Sequence, residues 1–387
     1  MPLKSLDLLH DLIAFDTTSR ESNLEFIEYV EAYLDTIGVE YMRVYDDEKR
    51  KANLYATLGP QEQSGILLSG HTDVVPVDGQ NWTSDPFTLR EEEGKLFGRG
   101  TADMKAFIAI ALAYAPEMLK RGLTTPIHLA FSYDEEVGHL GAKRLVEIIR
   151  EMPVKPAMCI VGEPTGMDVI VAHKGKRKTR VHVRGLEAHS SLAPKAVNAI
   201  EYAAELIAYI KGMARRIEKE GPFDDKFDLT HSTIQVGLIQ GGVQLNIVPN
   251  SCTFDFELRH LPDDDPVPRL DEIEAYARET LEPMMHDINQ DTGITFEDLG
   301  TNYSLNIDPG EDIVALVKRL TGRNDHGKVA FGTEAGLFME RAGIPTVVCG
   351  PGHIAQAHKP DEFITLEQVA KGEEFMRQLI NYVCGNE

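Results

Sequence analysis

Two patterns of apolar residues alternate along the first part of the chain. Gly65–Gly70 (GILLSG), Ile127–Tyr133 (IHLAFSY) and Ala157–Gly162 (AMCIVG) are short, nearly uninterrupted apolar runs, as expected of strands buried on both faces. Between and after them, Asp103–Gly122 (DMKAFIAIALAYAPEMLKRG) and Gly141–Met152 (GAKRLVEIIREM) carry apolar residues at helical spacing. This rhythm predicts an α/β fold, a mostly parallel sheet with helices on both faces. From about residue 177 the character changes. Thr179–Gly185, Ser232–Gly242 and Cys252–Pro262 alternate with period two, and Ala196–Gly221 and Asp271–Met285 are helical, which predicts an α+β unit. The β-α rhythm resumes with Glu311–Gly322 and Ile344–Gly350. The expected organisation is one α/β domain, residues 1–176 and 291–387, interrupted by an inserted α+β domain, residues 177–290.

At 387 residues the chain exceeds the size at which one core stops growing, which agrees with two domains. Its 42% hydrophobic and 26% charged residues are those of a globular protein. The formal charge of -23 opposes nucleic acid or an anionic membrane as partner, since both require basic surfaces. The first twenty residues mix Asp and His among apolar positions, so they read as an amphipathic helix and lack the apolar centre of a signal peptide. No apolar run reaches membrane-spanning length. Cys159, Cys252, Cys349 and Cys384 are scattered without C-x-x-C spacing, as in structural thiols of a reducing compartment. A cytoplasmic protein is expected.

The candidate chemistry lies where strands end. His71 and Asp73 (SGHTDVVP) follow the first run, Glu135 and Glu136 (SYDEEVG) the second, and Glu163 (VGEPTG) the third. His358 (GPGHIAQAHKPDEF) follows Ile344–Gly350, and Asp103 (GRGTADMK) opens a helix. Four strand exits thus aim histidines or acids at the carboxyl edge, where open α/β sheets bind ligands. A lone histidine after a strand is ordinarily a hydrogen-bonded surface residue, and Asp103 or Glu163 alone reads as a helix cap. Together they form an imidazole and carboxylate set that suits zinc or a related divalent ion, and a pair of ions sharing a carboxylate. Asp103, Glu136 and Glu163 supply minus three against plus four for two such ions. The run Asp134–Glu136 then resolves into a ligand (Glu136), a free base (Glu135) and a solvated acid (Asp134).

SGHTDVVPV, GRGTADMK, DEEVG, GEPT and AHKPDEF, in this order, resemble the zinc-dependent amidohydrolases that include acetylornithine deacetylase, succinyl-diaminopimelate desuccinylase, aminoacylase and carboxypeptidase G. The resemblance covers nearly the whole chain. It implies that His71, Asp103 and Glu163 hold one zinc and Asp103, Glu136 and His358 the other, with Asp103 bridging; cobalt is the alternative metal. It implies Asp73 as the acid orienting His71, and Glu135 as general base for a zinc-bound hydroxide. LEAHSS implies His189 as polariser of the scissile carbonyl, while QLNIVPN and ELRHLP imply Asn246 and Arg259 as contacts to the substrate backbone and carboxylate. The inserted domain is by resemblance a lid and dimerisation unit, with a homodimer expected and His189 acting in its own site or across the dimer.

FGTEAGLF and VVCGPGHIAQAHKPDEF look most like the acetylornithine deacetylase branch, which implies removal of the Nα-acetyl group from N-acetyl-L-ornithine. Val243 departs from relatives with a small residue or Thr there. Desuccinylases resemble GTSDGRF where this chain has Leu337, so no Arg meets a succinyl carboxylate. Glu334 is the expected partner of the ornithine ammonium, its alternative being an acid satisfying backbone amides in its own turn. A desuccinylase or a broad N-acyl-amino-acid hydrolase is the neighbouring reading, and a non-catalytic small-molecule-binding relative the reading from another class. The segment from Gly322 to Val329 fails as a phosphate-binding loop at its last position, where Val329 cannot ligate magnesium, and GRGTAD lacks the third glycine of a dinucleotide fingerprint. No G-x-S-x-G supports serine hydrolysis.

Overall fold

The computed structural model describes residues 4–385 and divides the chain into two compact units. The first comprises the chain up to His173, Leu305–Lys328, and Thr333 onward; the second is Lys174–Ser304 with Val329–Gly332. Sequence pattern places the return to the first unit at 291, but the second continues to Ser304. The reason is Gly293–Asn302, a strand that pairs along Gly175–Arg184 as the fourth member of the second unit's sheet. A register shift between Asp298 and Gly300 breaks its period-two pattern and hides it in the sequence.

The first unit is built on a nine-stranded sheet. At its centre Ile66–His71 lies between Ile127–Ser132 and Met158–Val161, parallel to both, and Thr346–Val348 continues the parallel run beyond Met158–Val161. The flanks are antiparallel: Ala52–Leu58 and Tyr41–Tyr45 on one side, Ile170–His173 and Leu305–Asn306 on the other. Every residue of Ile66–His71 and Ile127–Ser132 is buried, which explains their continuous apolar reading. Alternate residues serve opposite faces. Leu68, Leu129 and Ile160 join a core with helices Ser5–Ile13, Leu24–Thr36, Lys105–Arg121, Asp312–Thr321 and Leu366–Val383. Leu67, Ala130 and Val161 are buried outside that core, as are Leu145, Val146 and Ile149 of helix Leu140–Glu151.

One close approach ties this packing to the sheet edge. A Cβ on Gly162 would lie 2.1 Å from Cγ of Phe107, so only glycine lets the first turn of helix Lys105–Arg121 sit against the turn that carries Glu163.

The second unit is a four-stranded antiparallel sheet in the order Thr233–Gly241, Ser251–His260, Gly175–Arg184, Gly293–Asn302. Cys252, Phe254, Phe256 and Leu258 alternate inward and meet Ala203, Leu206, Ile210, Met213 and Ile217, the apolar stripe of helix Ala199–Glu220. Asn198 caps that helix, its side chain accepting from Ile200 N–H at 3.0 Å and Glu201 N–H at 3.4 Å.

Phe254→Ala empties a site 1% exposed at the middle of this core and is expected to destabilise the second unit by about 3–5 kcal/mol. Urea unfolding should show an earlier transition while metal content in the native baseline stays at the wild-type value; loss of metal at zero urea would show that the second core is needed to form the first unit's site.

Candidate metal centre

Sheet register sets the depth of the site. His71, the last residue of its strand, pairs with Ser132, the last of its parallel neighbour. Thr72 N–H donates to Ser132 O at 2.8 Å and Gly162 N–H to Ser69 O at 3.0 Å, so three chain segments leave the sheet level with one another. His71, the acids Glu135 and Glu136, and Glu163 follow directly from those exits.

Asp103 comes from the segment before helix Lys105–Arg121 and is held by a residue distant in sequence. Glu362 Oε1 accepts from the backbone N–H groups of Gly100, Ala102 and Asp103 at 3.1, 2.9 and 3.1 Å, while its Oε2 pairs with Arg99 Nη1 at 2.6 Å. Arg99 and Glu362 are both 1% exposed. Burial raises the pKa of Glu362, but the guanidinium and three amides give its carboxylate the donors an anion needs.

The two imidazoles take opposite oxygens of Asp103. His71 Nε2 lies 3.0 Å from Oδ1 and His358 Nε2 3.3 Å from Oδ2. His71 Nε2 is also 3.7 Å from Glu163 Oε1, and His358 Nε2 3.1 Å from Glu136 Oε1. His71, Asp103 and Glu163 are buried, whereas the His358 side chain is 51% exposed. The geometry therefore places an imidazole and a further acid on each side of one carboxylate.

The buried charges of this cluster act strongly on one another. Burial and the charge of Asp103 push Glu163 well above the carboxylate range and Glu136 up to about 7. Burial works against a charged His71, but its bond to Asp103 and the charges of Glu163, Asp103 and Glu135 outweigh it and raise its pKa. Hydrogen bonds to Asp103 and Glu136 raise His358 to about 10. Burial opposes ionisation of Asp103, yet the bonds from His358 and His71 hold its pKa low. The acids outnumber the imidazoles here, so the cluster calls for further positive charge. Mixed imidazole and carboxylate donors fit zinc-like divalent ions in the same place, and nitrogen and oxygen atoms of His71, Asp103 and Glu136 lie within 4.8 Å of one another.

Asp73 has partners beyond the expected one. His71 Nδ1 bonds to the backbone carbonyl of Asp73 at 2.8 Å, and the Asp73 carboxylate stands at 3.6 Å. That carboxylate instead accepts the backbone N–H of Glu135 at 3.0 Å, that of Glu136 at 3.3 Å and the Ser19 hydroxyl at 2.7 Å. It holds the backbone of the acids while standing beside the imidazole. Asp134 is also not solvated: it is 6% exposed and ion-paired with Lys51, which is 7% exposed. The three consecutive acids separate by partner, and Glu135 Oε1 lies 3.1 Å from His139 Nε2.

Glu334 corrects a further expectation. It is fully buried, and its oxygens accept from Ser69 Oγ at 2.5 Å and Ser132 Oγ at 2.8 Å. Both serines belong to the central strands, so this acid fastens the turn to the sheet and has no open face for a substrate ammonium. His189, Asn246 and Arg259 lie in the second unit. His189 is exposed, its Nδ1 2.8 Å from Ser191 Oγ, and Ser190 N–H donates to Asn246 O at 3.0 Å, so these two segments are neighbours. Arg259 Nε donates to Glu257 Oε1 at 3.0 Å. Sequence reasoning assigned no role to Glu362, His139, Lys51 or Ser19. Glu362 lay within the quoted motif AHKPDEF, and its place beside His358 is the one signal that pointed to it.

Residues 67–382 match the model of peptidase family M20/M25/M40. The acetylornithine deacetylase of Proteus mirabilis is 34% identical over 375 residues, covering 96% of this chain and 93% of that protein. Among solved structures, the M20 family metallo-carboxypeptidase Sso-CP2 of Sulfolobus solfataricus superposes with a TM-score of 0.77 at 18% identity, covering 99% of both chains. YXEP of Bacillus subtilis, a dinuclear metal binding peptidase of the same family, gives 0.66 at 14% identity over 99% of this chain and 98% of that one. The chain belongs to peptidase family M20/M25/M40. It is a metal-dependent hydrolase of amide bonds, similar over nearly its whole length to acetylornithine deacetylases.

Because Glu362 holds the Asp103 backbone, Glu362→Ala is expected to weaken metal affinity about 10–100-fold, the usual effect of losing a group behind a ligand. Chelator competition on the folded fraction measures it. Affinity equal to wild type in that fraction would show that Asp103 holds its position without Glu362.

Proposed function

We propose that the protein hydrolyses N-acetyl-L-ornithine to acetate and ornithine with two divalent ions, zinc or alternatively cobalt. His71, Asp103 and Glu163 hold one and Asp103, Glu136 and His358 the other. The observation that carries this reading is the shared Asp103 carboxylate, flanked on its two oxygens by His71 and His358, with Glu135 beside the cluster and held by a separate partner. Bound divalent ions polarise an acyl carbonyl and lower the pKa of water to about 7. Glu135 takes a proton from the attacking water as oxygen adds to the acetyl carbon. It returns that proton to the nitrogen as the C–N bond breaks, so the carboxylate ends the cycle as it began.

The substrate assignment is supported by the 34% identical deacetylase and by Leu337, an apolar residue 3% exposed where a cation would be needed for a succinyl carboxylate. Within the second unit, Arg259 is assigned to the α-carboxylate, Asn246 to the substrate backbone and His189 to the acyl oxygen. A homodimer through that unit is supported by its edge strand Thr233–Gly241, where Leu238 is 66% and Ile239 56% exposed, and by Val243 and Leu245 at 85% and 99%. A cytoplasmic location is supported by four free cysteines, all buried. No helix among the described residues is long and apolar enough to cross a membrane.

Glu135→Gln should retain both metals and lose about 10²–10⁴ in kcat, the worth of general acid–base catalysis. Metal analysis with steady-state kinetics separates this from a ligand, whose loss removes metal.

Relative kcat/KM values test the substrate. N-acetylornithine should exceed N-acetylnorvaline, N-acetylmethionine and N-succinyl-diaminopimelate. Equal rates on the ornithine and norvaline derivatives would replace the assignment with a broad aminoacylase, and preference for the succinyl compound with a desuccinylase.

A further inference from the structure

Helix Leu140–Glu151 begins in an unusual way. Its N-cap, His139, has φ 59° and ψ 36°, the left-handed region that favours glycine and asparagine, and it follows Gly138 at φ 122°. The residue is 2% exposed, so its backbone conformation is not that of a loose loop. His139 N–H donates to Glu135 O at 3.1 Å and its own carbonyl accepts from Lys143 N–H at 2.9 Å. This tight reversal carries the imidazole back over the acid four residues earlier. His139 Nε2 reaches Glu135 Oε1 at 3.1 Å, with the two side chains 3% and 9% exposed.

Glu135 is thereby fixed at both ends. Asp73 holds its backbone N–H, and His139 holds its carboxylate. The second restraint has a specific consequence. An oxygen of Glu135 lies within 4.8 Å of donor atoms of His71 and Glu163, close enough for the carboxylate to act as one more ligand to an ion placed there. A carboxylate bound to a metal is a poor proton acceptor, because the cation stabilises its ionised form.

We propose that His139 is a positioning residue that holds Glu135 as the proton acceptor and keeps it from joining the metal ligands. This rests on the proposed role of Glu135 as base. The chemistry requires an N–H donor reaching from a left-handed position, and histidine combines that reach with more tolerance of the conformation than a β-branched residue has.

The test compares His139→Asn, which suits the left-handed backbone but is too short to reach, with His139→Gln, which restores an N–H donor at similar reach. Zinc-loaded His139→Asn should lose roughly 10- to 100-fold in kcat, as for a displaced catalytic group. Its KM and its two metals per chain should stay within about twofold of wild type, and His139→Gln should recover most of kcat. Chelator competition supplies a readout independent of turnover: His139→Asn should bind zinc as tightly as wild type or more tightly, since Glu135 is released toward the ions. Wild-type kcat in His139→Asn, equal loss in both variants, or weaker zinc binding in His139→Asn overturns the proposal. Glu135→Gln, run alongside, separates the two levels. An inactive, metal-replete Glu135→Gln beside a fully active His139→Asn removes only the role of His139, whereas an active Glu135→Gln removes the base assignment on which it depends.

Discussion

Charge compensation for buried carboxylates is the constraint on which the rest of this structure depends. An unpaired charge taken out of water costs several kcal/mol, so each such acid must find a cation or donors. Asp134 has Lys51, Glu362 has Arg99 and three backbone amides, and Asp73 has two amides and the Ser19 hydroxyl. Glu334 has two serine hydroxyls, and Glu135 has His139. Among the described residues, Asp103, Glu136 and Glu163 share His71 and His358 as their cationic partners and lie beside one another and Glu135. The acids with dedicated partners build the walls, and the acids without them define where cations belong.

The parallel centre of the sheet is what allows this sorting. Antiparallel neighbours would send alternate exits to opposite edges, but Ile66–His71, Ile127–Ser132 and Met158–Val161 run together and deliver their following residues to one edge. Ser69 and Ser132 sit within that same register and both bind Glu334, so the acid fastens adjacent strands just beneath the exits. Asp73 and Glu362 do the same for the loops by accepting backbone N–H groups. Main-chain hydrogen bonds to buried acids thus hold these loop backbones in place.

Strands buried on both faces read as apolar runs, so the parallel core was legible in the sequence, and with it the exits that carry His71, Glu135, Glu136 and Glu163. Tyr41–Tyr45 and the bulged Gly293–Asn302 were not, because half-buried or irregular strands lose both the apolar run and strict alternation. Most partners of the site residues were equally hidden. Glu362 meets the Asp103 amide across 259 residues, and Lys51 meets Asp134 across 83, distances over which pattern carries no signal. Asp73 is legible beside His71, but its bonds to Ser19 and to the Glu135 and Glu136 amides are not, since they span 54 to 63 residues. Glu334 failed for a related reason: an acid in a glycine-containing turn reads as exposed until the strands beneath it are seen.

The two units place different demands on their residues. Metal ligands tolerate little displacement, and in the first unit the candidate ligands emerge from a sheet whose central strands are wholly buried. The residues assigned to the substrate stand on a half-solvated antiparallel sheet and its exposed connections, where His189 and Asn246 are exposed and Arg259 is partly so. Substitution at such positions disturbs no core, because Cys252, Phe254, Phe256 and Leu258 point the other way along the same strand as Arg259. The buried strands that deliver the candidate ligands are therefore the part of the chain least open to substitution.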